Sequence, residues 1–212
     1  MEIIKKILLE NKAWAKSKID IDPDYFQNMS KDQKPTFLWI GCADSRVPPS
    51  EITNTNPGDM FVHRNIANLV VHTDSNLLSV MQYAVEALKV PHIIVCGHYN
   101  CGGVKAALSH QSLGLIDNWI RNIKDVAFAN SVELKKIDNE TERVNRLVEL
   151  NVLQQVKNIS HSSIIQKAWK ERGEYPIIHG WVYDLCSGQL KILNTVTAQD
   201  MLEPEFFYEF QN

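Results

Sequence analysis

An α/β protein with a mostly parallel central sheet is the fold that the sequence predicts, and three observations predict it. Short apolar runs, "PTFLWIGC", "GDMFVHRN" and "HIIVCGH", alternate with segments whose apolar residues recur at helical spacing. That alternation implies a sheet of about four parallel strands with helices on both faces. A later stretch, "YPIIHGWVYDLCSGQLKILNTV", holds two strand-like runs around the turn "CSGQ", which adds an antiparallel edge strand.

Each element follows from its residues. Ile3, Ile4, Ile7, Leu8, Trp14 and Ile19 recur at roughly helical spacing and predict an amphipathic first helix. Pro23 and the polar stretch to Pro35 interrupt it. Residues 1–34 are therefore expected to form an amino-terminal helical arm that packs on its own domain or on a neighbouring subunit. The run bounded by Pro35 and Gly41 reads as a buried strand, and residues 58–65 as a second, weaker one. Leu77, Leu78, Met81, Ala84, Val85 and Leu88 define the next helix, with Asp74 or Ser75 as its cap and Pro91 beyond its end. "HIIVCGH" is the third strand, and the helix after it begins in the turn at Gly102–Gly103. From Leu113 to Arg172 the pattern is helical for most of its length, with Val144, Leu147, Val148, Val152, Leu153 and Val156 along one side.

Bulk properties narrow the function. A chain of 212 residues, 44% hydrophobic, suits one domain over 1–212 with accessory elements. Its net charge of −3 leaves no electrostatic footprint for nucleic acid, and no run of basic or apolar residues suits a membrane. The start, "MEIIKKILLENKAWAKSK", lacks the uninterrupted apolar stretch of a secretory signal, so a cytoplasmic protein is expected. Four cysteines clustered partly with histidine then point to metal or catalytic chemistry before disulfides.

Two segments at predicted strand ends carry that chemistry. In "GHYNC", His98 and Cys101 are three apart at a tight turn, a spacing that lets an imidazole nitrogen and a thiolate converge on one zinc ion. Gly102 and Gly103 are expected to free the turn's dihedrals and admit close approach. In "CADSR", an extended segment sends Cys42, Asp44 and Arg46 to one side. If the two strands adjoin, Cys42 completes three protein ligands and leaves a fourth position for water or for Asp44, the pattern of a catalytic rather than a structural site. Arg46 is expected to clamp Asp44 and keep it ionised, so that it only accepts hydrogen bonds. Asp44 would then orient a hydroxide generated on zinc near neutral pH; released from Arg46, it could itself coordinate the metal and close the site.

These segments resemble those of the β-class carbonic anhydrases. The "C-x-D-S-R" and "H-x-x-C-G-G" patterns of that family appear as Cys42-Ala43-Asp44-Ser45-Arg46 and His98-Tyr99-Asn100-Cys101-Gly102-Gly103. The likeness runs on through "PGDMFVHRNIANLV", "VMQYAVEAL", "GLIDNWI", "LNVLQQV" and "IHGWVYD", nearly the whole chain. The resemblance implies one zinc per chain on Cys42, His98 and Cys101, the Asp44–Arg46 dyad beside it, and reversible hydration of carbon dioxide to bicarbonate and a proton. It also implies homodimers or dimers of dimers. An apolar substrate pocket would be drawn from Phe61, Ile66, Val71, Tyr83, Leu88, Gly102 and Gly103. A subgroup of the family is inhibited by bicarbonate at a non-catalytic site, and its tryptophan, arginine and tyrosine match Trp39, Arg64 and Tyr183. In that subgroup the anion favours the closed state. Pro48-Pro49-Ser50-Glu51 departs from the family's usual P-A-E at this place, which bears on that switch. Two other readings share the metal site: a hydrolase of carbon disulfide or carbonyl sulfide, and a non-catalytic zinc or bicarbonate sensor. A zinc hydrolase of esters or amides is disfavoured by the absence of H-E-x-x-H.

Overall fold

Leu38, Trp39 and Ile40 are apolar in succession, and a strand so composed is stable only with neighbours at both edges and cover on both faces. The computed structural model, which describes residues 1–200 and 207–210, supplies both. Strand β1 (Phe37–Cys42) pairs in parallel with β2 (Met60–Asn65) on one side and with β3 (His92–His98) on the other. β3 pairs in parallel with β4 (Ile177–Asp184), and β4 turns through residues 185–188 into antiparallel β5 (Gln189–Val196). The order is β2-β1-β3-β4-β5, the mostly parallel sheet with an antiparallel edge strand that the alternation predicts.

The chain divides into two compact units at Lys34 and Pro35. The first holds α1 (Glu2–Ile21) and α2 (Tyr25–Met29), where Trp14 meets Phe26 edge-on at 5.6 Å. No residue of α1 is buried, and Ile3, Ile4, Ile7 and Leu8 are exposed. In the second unit α3 (Pro49–Thr53) leads from β1 to β2, and α4 (Ser75–Gln82) from β2 to β3. Five helices then lead to β4: α5 (Gly102–Leu108), α6 (Ile116–Ala129), α7 (Ser131–Leu134), α8 (Glu140–Ser160) and α9 (Ser163–Arg172). Asp74 caps α4 by accepting from the backbone N–H of Asn76 and Leu77. Apolar spacing predicts continuous helix after α4, but Tyr83–Ala87 widens to π-helix, with Leu88 N donating to Tyr83 O at 3.0 Å. The wider turn leaves Ala84 and Val85 both buried.

The larger core cluster joins Leu38 and Ile40 of β1, Ile93 and Val95 of β3, and Ile178 and Val182 of β4 to Leu147, Val148, Val152 and Val156 of α8. Each fully buried aliphatic side chain there stabilises the fold by about 1.5–3 kcal/mol. A smaller cluster centres on Trp39, Ile94 and Cys96, with Ile52 of α3 packed on it. Gly97 admits α8 to β3, because a Cβ there would lie 2.7 Å from Val152 Cγ2. No helix among the described residues is long and apolar enough to cross a membrane.

This topology fixes where a site can form. The chain leaves β1 toward β2 at one edge and leaves β3 toward β4 at the other. Strand order therefore reverses between β1 and β3, and ligands of such sheets bind in the crevice beyond the carboxyl ends at that switch point.

Candidate metal centre and active site

Cys42 is the last residue of β1, His98 the last of β3, and Cys101 the residue preceding α5. Because β1 and β3 are neighbours, the crevice collects all three, and their ligand atoms lie within 4.8 Å of one another. All three are buried, with the two sulfurs 4.0 Å apart. His98 Nδ1 lies 3.0 Å from Tyr99 O. A carbonyl only accepts, so Nδ1 carries the proton and Nε2 carries the lone pair. Nε2 is buried and has no hydrogen-bond partner among the described residues. One imidazole and two thiolate donors, with an orphaned ring nitrogen among them, fit zinc. The Cys42 thiol is lowered to about 4, first because Cys101 hydrogen-bonds to it, with lesser help from His98 and the backbone. The same contact, with burial, pushes the Cys101 thiol up.

Asp44 sits beside this centre, its Oδ2 3.7 Å from His98 Nε2. Arg46 clamps it in a two-pronged contact, Nε to Oδ1 at 2.9 Å and Nη2 to Oδ2 at 2.7 Å, and Arg46 N adds a third hydrogen bond to Oδ1 at 3.0 Å. Those bonds from Arg46 hold the Asp44 carboxyl well below the usual carboxylate range, against an opposing contribution from burial. The reason the pair meets differs from the expected strand alternation. β1 ends at Cys42, and the chain turns at once, Val47 N donating to Asp44 O at 3.2 Å. The two residues meet across an Asx turn, in which the carboxylate takes the backbone N–H two residues on.

The glycine expectation is corrected too. Neither Gly102 nor Gly103 has positive φ; Asn100 takes the left-handed place in the turn, at φ 57°. Gly103 serves close approach: a Cβ on it would lie 2.8 Å from Ile66 Cγ2 and 3.3 Å from Ala67 Cβ. Gly102 faces open space. Of the other residues expected in an apolar pocket, Ile66 and Val71 line an open groove of about 880 Å³ together with Leu115, Ile116 and Trp119. Phe61 and Tyr83 pack on each other, ring centroids 5.7 Å apart, and Leu88 packs on the main core.

Trp39, Arg64 and Tyr183 flank the same strand ends. The Trp39 indole lies over Gly41, where an added Cβ would be 2.3 Å from its Nε1. Gly41 is in register with Arg64, so the indole and the Arg64 side chain rise from one face. Trp39 belongs to the smaller core cluster, and the partly buried Tyr183 packs against both clusters. Arg64 donates through Nε to Cys42 O at 2.8 Å and through Nη2 to Asp44 O at 2.5 Å.

Sequence reasoning missed several residues around the centre. Ala67 donates its N–H to Cys42 Sγ at 3.4 Å, from a left-handed backbone at φ 63°. The Tyr99 carbonyl oxygen accepts a hydrogen bond from His98 Nδ1, and α8 supplies Asn145, Glu149, Asn151 and Gln155 to the surrounding loops. One signal was legible: Asn151 and Gln155 fall within the buried side of an otherwise apolar stripe.

Known proteins place this chain in a family. The carbonic anhydrase family model matches residues 37–190. The carbonic anhydrase of Emericella nidulans is 49% identical over 189 residues, 89% of this chain and 82% of that protein. Among solved structures, a tetrameric β-carbonic anhydrase of Sordaria macrospora superposes with a TM-score of 0.88 at 41% identity, over 92% of this chain and 100% of that one. The β-carbonic anhydrase CafA of Aspergillus fumigatus gives 0.89 at 36% identity, over 97% and 99% of the two chains. A Coccomyxa β-carbonic anhydrase in complex with acetazolamide gives 0.88 at 38%, over 93% and 90%. The chain belongs to the carbonic anhydrases, and within them to the β class. It is therefore an enzyme, and hydration of carbon dioxide is its family's reaction.

Proposed function

We propose that this enzyme hydrates carbon dioxide reversibly at a zinc ion held by Cys42, His98 and Cys101, with Asp44 and Arg46 as its catalytic pair. The observation that carries the reading is the convergence of three buried ligand atoms within 4.8 Å beside a carboxylate already clamped by Arg46. Zinc with three protein ligands lowers the pKa of a coordinated water to about 7 and so supplies hydroxide near neutral pH. The residues of this chain do the rest. Asp44, ionised and acceptor-only, takes one hydrogen bond from the attacking oxygen and discriminates against species with no proton to give. Arg46 fixes the direction of that carboxylate. Ile66 and Val71, with Phe61, Tyr83, Leu88, Gly102 and Gly103 partly across a dimer interface, would supply the apolar approach for carbon dioxide. Because Cys42 and Cys101 serve only as thiolates, a reducing, cytoplasmic setting belongs to this reading. So does a homodimer or dimer of dimers, an inference supported by the tetrameric relatives from Sordaria macrospora.

The same reading gives Trp39, Arg64 and Tyr183 to bicarbonate as an inhibitory site. Its support is the Arg64 guanidinium, which already grips the carbonyls of Cys42 and Asp44. An anion drawing on Arg64 would shift that grip and favour Asp44 leaving Arg46 for the metal, the closed state.

The decisive experiment measures zinc content and stopped-flow carbon dioxide hydration with a pH indicator on the purified protein. One zinc per chain and turnover that rises toward alkaline pH are expected. Zinc-loaded protein with no activity above buffer at any pH would overturn the catalytic reading.

A further inference from the structure

Helix α8 contacts both loops that surround the candidate ligands, and it does so with polar side chains on a helix otherwise used for core packing. Asn145 and Glu149 stand four apart, so they project one turn from each other on the same face. Asn145 Oδ1 accepts from Asn100 N at 3.2 Å, and Glu149 Oε1 accepts from Tyr99 Oη at 2.7 Å. They thus hold the two residues between His98 and Cys101. Further along, Asn151 Nδ2 donates to Ala67 O at 3.1 Å and Gln155 Oε1 accepts from Val70 N at 2.8 Å. Gln155 Nε2 donates to Asn151 Oδ1 at 2.9 Å, which ties this second pair together. These hold the loop whose Ala67 N–H points at Cys42 Sγ.

We propose that α8 is the clamp that presets the ligand geometry, with Glu149 as a positioning residue acting on His98 through Tyr99. The inference rests on the zinc reading above and adds to it residues outside the ligand set. Tyr99 is fixed at three points. Its N donates to Tyr183 O at 3.0 Å, its O accepts from His98 Nδ1 at 3.0 Å, and its hydroxyl donates to Glu149. A peptide so fixed aims the carbonyl that sets the tautomer and orientation of the His98 ring, the task that outer partners perform for metal-binding histidines. Glu149 is itself held, by Lys191 Nζ on Oε1 at 2.7 Å and by Arg146 Nη1 on Oε2 at 2.7 Å. Arg146 also pairs with Glu133 of α7. The clamp therefore ties the turn to α7, α8 and β5, the strand that carries Lys191. A left-handed Asn100 and a left-handed Ala67 are strained places for non-glycine residues, and both lie directly under its contacts.

The test compares Tyr99→Phe, Glu149→Leu and Glu149→Gln with wild type. Transfer of zinc to a chelator is timed well below the melting temperature, and the visible spectrum is recorded after cobalt substitution. Tyr99→Phe loses only a hydroxyl, so it guards against a folding defect in Glu149→Leu. Asp125→Ala, in the exposed Arg121–Asp125 pair of α6, is the control. Glu149→Leu and Tyr99→Phe are expected to release zinc about tenfold faster, the lower end of what outer-shell partners control, and to shift the cobalt bands. Glu149→Gln, which still accepts from Tyr99, should fall near wild type, and the Tyr99→Phe/Glu149→Leu double variant should match the singles. If wild type holds one zinc per chain while Tyr99→Phe and Glu149→Leu release it at the wild-type rate with unchanged cobalt bands, the clamp is wrong and the zinc reading stands. If wild type holds no zinc, the zinc reading fails and the clamp fails with it.

Discussion

The segment after β1 and the turn after β3 bring ligands to one centre but are held by different means. Residues 42–47 are organised locally: Asp44 and Arg46 meet across a single Asx turn, and the Arg46 side chain is 55% exposed. Their tertiary tethers are Arg64 on the carbonyls of Cys42 and Asp44, Ala43 N donating to Asn65 O at 2.7 Å, and the Ala67 N–H on Cys42 Sγ. The turn at residues 98–101 is gripped from outside by α8 and β4. A pair built from neighbours in sequence, with its arginine open to water and its carboxylate 18% exposed, rearranges at smaller cost, because the contacts between the two are local. A turn tied to a long helix does not. The contrast assigns adjustment to the first segment and fixed coordination to the second.

Three changes test that contrast. The largest effect is expected from Asp44→Asn, which keeps the shape and removes the charge that Arg46 holds. Turnover should fall by about 100-fold while zinc content, measured by atomic emission, stays at wild type. Near-normal turnover would remove Asp44 from the chemistry. A smaller effect is expected from Arg64→Ala, which cuts one tether of the first segment. Inhibition by bicarbonate should weaken by about tenfold, in the usual range for a coupling between two sites. An unchanged inhibition curve would deny the Trp39, Arg64 and Tyr183 site.

The smallest effect belongs to the clamped turn and appears in stability. Burial pushes the Glu149 carboxyl up, but hydrogen bonds from Lys191, Tyr99 and Arg146 outweigh it and hold the group below its ordinary value. A depressed carboxylate contributes stability that is present above its unfolded pKa of about 4.3 and is lost as pH falls through the folded value. Glu149→Gln should therefore be less stable than wild type by about 1 kcal/mol at neutral pH, the upper end for partly exposed ion pairs. Urea melts at a series of pH values should show that gap steady above about pH 5.5 and closing below about pH 4. A gap independent of pH would mean that shape, not charge, makes Glu149 matter.

Much of this molecule was legible in its residues. The apolar runs predicted the strands, and "CADSR" and "GHYNC" named the candidate ligands and the dyad, because residue type and short spacing are local properties. The cap of α4 was legible as Asp74 or Ser75 for the same reason, and it is Asp74. The π-helical turn at Tyr83–Ala87 was not, since apolar spacing alone does not distinguish i→i+4 from i→i+5 bonding. Nor was the manner in which Asp44 and Arg46 meet, because the end of β1 at Cys42 depends on where its neighbours stop pairing.

The sequence by itself determined which side chains can bind a soft cation, which pair can hold an ionised carboxylate, and that both stand at strand ends. Only the tertiary structure decided that β1 and β3 are neighbours, and so that Cys42 comes within 4.0 Å of Cys101, 59 positions later. It also decided that Asn100 and Ala67 take left-handed places, and that α8 reaches both. The physical reason is separation along the chain. Asn145 meets Asn100 from 45 positions away and Asn151 meets Ala67 from 84. Contacts so distant leave no periodicity in the sequence and form only when packing brings the helix down on the sheet.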